Sequence, residues 1–227
     1  MEDFMMMANR AGMAHFAGLR TDTYAKITHE FIATFEDNLR EVKGNNTVSY
    51  SIAGTRQTIT FEEFCDCFGF SHDGDRRPNE LLLATSSTTW GKISVHGNAD
   101  YARKKISTIQ NPTIRYFTYF LASTLFGRGD MGAMTSPDIL VLHQALFGDQ
   151  HGKPNLGALL CAHFRCQRAA SAGEIRCGGL VTQIALSRGI NLPPMTHVLG
   201  TTTLDNNYMV ACRFMGVDRT SPHNHVL

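Results

Sequence analysis

The chain reads as a mainly α protein with a minor β part: a compact helical bundle with one small β-hairpin packed on it. Three observations point there. Three segments from residue 111 onward open on a cap-and-proline pair, at Asn111-Pro112, Ser136-Pro137 and Pro154-Asn155, and each continues with helical apolar spacing. The first of them, running to Phe126, is apolar on nearly every side, as a buried helix is. Clean alternation of apolar and polar residues flanks the turn at Ala53-Gly54-Thr55, which signals a hairpin.

Composition supports one packed body. The 227 residues (25.1 kDa) suffice for a domain of ordinary size. Hydrophobic residues make up 43% and charged residues 18%, so the chain can build a core. Lys+Arg is 21 against 20 Asp+Glu. This balance lacks the basic excess of a dedicated nucleic-acid or membrane-surface protein.

The first 21 residues are rich in Met, Ala and Gly. They read as a flexible lead, with a short methionine-packed helix as the other option. Glu2 and Asp3 stand where a signal peptide needs Lys or Arg. No stretch approaches the roughly 18 apolar residues that span a bilayer. Six cysteines are too sparse for a disulfide scaffold. A soluble intracellular protein, cytoplasmic or nuclear, with reduced thiols is expected. The sequon Asn45-Asn46-Thr47 then carries no glycan.

Tyr24, Ile27, Phe31, Phe35 and Leu39 share one face of a helix expected from Thr23 to Leu39. Gly44-Asn45-Asn46 breaks the chain. Strands over Val48–Ile52 and Thr58–Phe61 form the hairpin of residues 47–61. Thr60 and Glu63 have the spacing of a capping box, opening a helix with Phe61, Phe64, Cys65 and Phe68 that stops at Gly69. Residues 71–100 are polar and punctuated by glycine, so they read as a loop, with Trp90 half-buried where it meets the body. The Asn111-Pro112 helix serves as the central rod, with Arg115, Thr118 and Ala122 as its one small polar strip. The next helix carries Ile139, Leu142 and Leu146 and ends at Gly148. A third has Leu156, Leu159, Leu160, His163, Phe164 and Gln167 on a stripe. A fourth follows Gly178-Gly179 and closes at Gly189. Short links between these helices predict antiparallel neighbours. After Pro193-Pro194 the pattern fades. Tyr208–Met215 reads as one strand or short helix, and Ser221–His225 as a tail. The expected division is a lead over 1–21, one helical domain over 22–190 and a partly ordered extension over 191–227.

Reactive patterns are weak. Gly127-Arg128-Gly129-Asp130-Met131-Gly132 matches G-x-G-x-x-G, but a helix precedes it and none opens from it, so it reads as a helix-ending loop. Cys161, His163 and Cys166 are ligand types. On one helix, however, Cys161 lies about 160° from His163 and about 140° from Cys166, too divergent for one tetrahedral ion. Cys65-Asp66-Cys67 lacks the zinc spacer and a second pair. Cys177 precedes a helix N-terminus, where thiolate is favoured, yet no partner identifies it as reactive. His143 fits a core position. No G-x-S-x-G elbow, Walker A loop, H-E-x-x-H helix or kinase signature occurs. No catalytic, cofactor or metal residue is therefore assigned. Basic residues offer a weak nucleic-acid candidate: Arg103, Lys104 and Lys105 beside Tyr101, and Arg165 with Arg168 on one helix face.

Ile109-Gln110-Asn111-Pro112-Thr113-Ile114-Arg115-Tyr116-Phe117 leads into Leu125-Phe126-Gly127-Arg128-Gly129-Asp130 and Gly132-Ala133-Met134. Lys153-Pro154-Asn155-Leu156-Gly157-Ala158, His163-Phe164 and Cys177-Gly178-Gly179-Leu180-Val181-Thr182-Gln183-Ile184-Ala185 follow. In this order and spacing they closely resemble the C-terminal region of the first-open-reading-frame product of Athila-type plant retrotransposons, of the long-terminal-repeat Gypsy class. The resemblance spans about residues 22–190, and the block 109–185 is its specific part. It brings no catalytic residues to carry over. The chain has no C-x2-C-x4-H-x4-C knuckle, no Asp-Ser/Thr-Gly protease triplet and no Tyr-x-Asp-Asp polymerase motif. The well-signalled helical core beside absent chemistry, in a chain that resembles such an element protein, leads to the expectation of a non-enzymatic structural or protein-interaction module that self-associates or binds a protein partner, without cofactor or membrane. The alternative is a retroelement protein that binds RNA or single-stranded DNA.

Overall fold

The computed structural model describes residues 2–39, 46–76, 79–97, 103–129, 132–148, 152–171 and 173–192, with a short strand pair at 216–217 and 225–226. The elements run α1 (Glu2–Arg10), α2 (Ala14–Gly18), α3 (Ala25–Thr34), β1 (Glu36–Asp37), β2 (Thr47–Ile52), β3 (Thr55–Thr60), α4 (Phe61–Asp66), α5 (Asn79–Ile93), α6 (Pro112–Phe120), α7 (Ser136–Phe147), α8 (Leu156–Ala169), α9 (Gly178–Ser187), β4 (Gly216–Val217) and β5 (His225–Val226). The fold is mainly α, with a small antiparallel sheet of order β1-β2-β3. No helix among the described residues is long and apolar enough to cross a membrane.

The N-terminal segment departs from a flexible lead. Phe4, Met7, Ala8 and Ala11 are buried, an i, i+3, i+4, i+7 face. The Phe4 ring lies 5.2 Å from those of Tyr116 and Phe120, and Phe16 of α2 lies 5.3 Å from Phe70. Met5 and Met6 face solvent.

Helix α3 stops earlier than its periodicity indicates. Phe35 turns extended, and Glu36–Asp37 pair with Ser49 and Val48 as a short edge strand. Phe35 stays in the core, against Phe164 at 5.2 Å. The hairpin loop is Ala53-Gly54 alone, with φ of +53° and +79°, as a type I′ turn requires. Thr60 then closes the expected capping box: its N–H donates to Glu63 Oε2, and its hydroxyl accepts from the Glu63 N–H.

The polar stretch 71–100 contains α5, contrary to the loop expected there. The helix packs along α7, and Thr89 Oγ1 lies 2.7 Å from His143 Nδ1. Trp90 is fully buried instead of half-buried. Ser and Thr are poor helix formers, so tertiary contact overrides local propensity here.

The Asn111 cap is as expected: its Oδ1 accepts from the N–H groups of Thr113 and Ile114. The helix does not run uniformly to Phe126. It passes at Leu121–Leu125 into a π-helical turn. In its second half Leu121, Ala122, Leu125 and Phe126 are buried, whereas Ile114, Tyr116 and Tyr119 are half-buried. Of the expected polar strip, Arg115 is half-buried and Thr118 and Ala122 are buried; the Thr118 hydroxyl is satisfied there by donating back to Ile114 O. Helix α7 is capped one residue early, at Thr135, whose N–H and hydroxyl both donate to Asp138 Oδ2. Asn155 caps α8 through the Ala158 N–H. Tyr208–Met215 and most of the tail lie outside the described residues.

Candidate functional site

The expected basic residues fall into two separate settings. Arg103 and Lys105 are exposed and Lys104 is partly so. Their backbone is laced to the segment before α7, with Ile106 N–H on Gly132 O and Met134 N–H on Lys104 O. Tyr101 lies outside the described residues. Arg165 and Arg168, on α8, turn onto β1. Arg165 Nη1 lies 2.5 and 2.6 Å from the two Asp37 oxygens, and that carboxylate is buried. Arg168 Nη1 donates to Phe35 O at 2.6 Å and lies 3.5 Å from Glu36. Arg56 adds a 2.7 Å bond to Glu36 from the hairpin. These guanidinium groups are thus tied to the acids of β1 and the carbonyl before it. Among the described residues, no hydrogen bond or ion pair joins them to Arg103–Lys105.

The ligand-type residues of α8 do not converge. Cys161 is buried, Cys166 is exposed, and the His163 ring packs 6.3 Å from Phe126. Burial, with Arg128 nearby, pulls the imidazole pKa down to about 4. Burial pushes the Cys65 thiol up to about 12, and Cys161 is raised as well. Cys177 precedes α9, yet desolvation outweighs the helix terminus and raises its pKa to about 12. His143 is buried on α7, as a core histidine. Among the described residues, no group of three His, Cys, Asp or Glu is placed to hold a metal ion.

The Gly127–Gly129 loop serves packing. A Cβ on Gly127 would meet Arg176 O at 2.7 Å, and one on Gly129 would meet the Arg176 guanidinium at 3.2 Å. The glycines make room for the chain entering α9. Arg128 fastens the loop, donating to Ala133 O at 3.0 Å and to Asp138 Oδ2 at 2.5 Å.

A surface cleft of about 330 Å³ lies between α2, the π-helical turn and α9. Phe16, Phe120 and Leu180 form apolar walls; Arg20, Arg176 and Gln183 are its larger polar groups. Each polar group is held locally. Arg20 donates to Leu19 O at 2.7 Å, Arg176 pairs with Glu174, and Gln183 donates to Cys67 O at 3.0 Å. Ser123 and Thr124 return their hydroxyls to Phe120 O. The cleft brings together no acid–base pair and no nucleophile with a base. Sequence reasoning missed it because it joins residues more than 150 positions apart. Its one local trace is Gly178-Gly179, against which Thr21 and Thr23 press.

No curated protein and no solved structure matches this chain. A family model does, that of the ATHILA ORF-1 family, over residues 1–152. The match takes in α1 and α2, which precede the stretch of the sequence resemblance, and ends before α8. It covers 152 of 227 residues, and the chain belongs to the ATHILA ORF-1 family, as a retrotransposon-derived protein.

Proposed function

We propose that this protein is a non-enzymatic structural module of its element, acting through self-association. The observation that carries the reading is how its chemistry-bearing side chains are spent. Cys65, Cys161 and Cys177 are buried thiols held in the neutral form. His163 is a neutral imidazole among aromatic rings. The arginines of the cleft and of α8 are bonded to the chain's own carboxylates and carbonyls. Such an arrangement fixes shape and leaves recognition to surfaces.

Light scattering coupled to size-exclusion chromatography tests this on the full chain. The expected result is a mass above 25.1 kDa that rises with concentration. A strict monomer up to high micromolar concentration overturns the self-association reading. Nuclease-treated and untreated samples are compared. If association requires RNA or single-stranded DNA and falls steeply with salt, Arg103, Lys104, Lys105, Arg165 and Arg168 become the working surface instead.

A further inference from the structure

We propose that the outer edge of β3 is the seam through which two copies of this chain join, antiparallel about a two-fold axis at Gln57. The inference rests on the self-association reading and names its surface.

The register fixes which groups face outward. A two-residue hairpin loop makes its flanking residues, Ile52 and Thr55, a hydrogen-bonded pair. Tyr50–Gln57 and Val48–Ile59 follow as hydrogen-bonded pairs. Ser51–Arg56 and Ser49–Thr58 are then non-hydrogen-bonded pairs. Strand β2 agrees: the Ser51 N–H donates to Thr34 Oγ1 and the Thr47 N–H to Asn38 Oδ1, both away from β3. Arg56 and Thr58 therefore present two N–H and two C=O groups on the free edge. The Thr60 N–H, next along, is already taken by Glu63. Among the described residues, the bonds of Arg56 and Thr58 beyond the hairpin ladder come from side chains: Arg56 to Glu36 and Thr34 O, Thr58 Oγ1 to Ser49 Oγ.

The edge lacks the usual guards. Its six paired residues run without a bulge, proline or lysine. Thr55, Arg56, Thr58 and Thr60 are exposed. The one charge, Arg56, is neutralised by Glu36 at 2.7 Å. The outer face otherwise carries Thr47, Ser49, Ser51, Thr58 and Thr60, so two such faces meet without like-charge repulsion.

A second copy fits this edge in one register. Arg56 of one copy lies opposite Thr58 of the other, and the reverse holds across the axis. Four main-chain hydrogen bonds form, and all eight edge groups of the two strands are filled. Gln57 then faces its own counterpart in a non-hydrogen-bonded pair, with Cα atoms roughly 4.5 Å apart. The two three-stranded sheets become one of six.

Two variants of the full chain test the seam. Thr58→Pro removes an outward N–H at an edge position where proline is tolerated. Sedimentation velocity is expected to show dimer affinity weakened at least tenfold, with an unchanged circular dichroism spectrum. Gln57→Cys, with Cys166 and Cys212 changed to Ser, is expected to give a disulfide-linked dimer on mild oxidation, because the paired Cα distance suits the bond. Thr55→Cys in the same background is expected to give none. Dimers that keep their affinity in Thr58→Pro and fail to cross-link in Gln57→Cys would overturn the seam and leave self-association standing. A wild-type monomer at every concentration overturns both.

Discussion

A half-buried imidazole whose Nε2 is shielded from water, beside a guanidinium, is badly placed to take up a proton. His163 lies between Phe126 and Phe164, and its folded pKa of about 4 is below its ordinary 6.5. The folded state therefore binds fewer protons than the unfolded chain between these values. The associated stability is fully present above pH 6.5 and is lost as pH falls toward 4. Urea unfolding of wild type is expected to lose roughly 2–3 kcal/mol across that window from this group. His163→Leu is expected to flatten the dependence; an unchanged slope would show that the imidazole is hydrated. Ala53 poses a backbone question at the same scale. It holds φ +53°, a region costing a non-glycine residue about 1 kcal/mol. Asn tolerates that region and is favoured before Gly in this turn. Ala53→Asn is expected to stabilise the protein by roughly 0.5–1 kcal/mol, read as a rise in thermal midpoint.

At the scale of elements, the helices meet through small residues. A Cβ at Gly178, the first residue of α9, would collide with Thr23 Cγ2 ahead of α3. Gly178→Ala is expected to cost about 1–3 kcal/mol by overpacking, measured by chemical denaturation. The starts of α4, α6 and α8 were legible in the sequence because Thr60, Asn111 and Asn155 act on residues two or three positions away. Helix α5 was not legible: its Ser-Ser-Thr-Thr run has weak helical preference, and contact with α7 imposes the conformation. The π-helical turn after Phe120 was equally hidden, since Leu-Ala-Ser-Thr-Leu suits an ordinary helix. The candidate basic surface was legible as charge only. Asp37, which holds Arg165, lies 128 residues earlier, and no local pattern announces that pairing.

For the whole molecule, one apolar core runs from Phe4 to Ala185, so the first residues are part of the body. Phe4→Ala is expected to cost about 3 kcal/mol, and removing residues 1–18 to abolish a cooperative thermal transition. An unchanged melt for the shortened chain would show that α1 and α2 merely rest on the surface. The fully enclosed Trp90 has a further consequence. It is the sole indole in the chain, and it sits on α5, which packs along α7. The protein therefore carries its own optical gauge: emission starts blue in the dry interior and moves red once water reaches the ring. Any loosening between these two helices can be followed in real time, without attaching a dye.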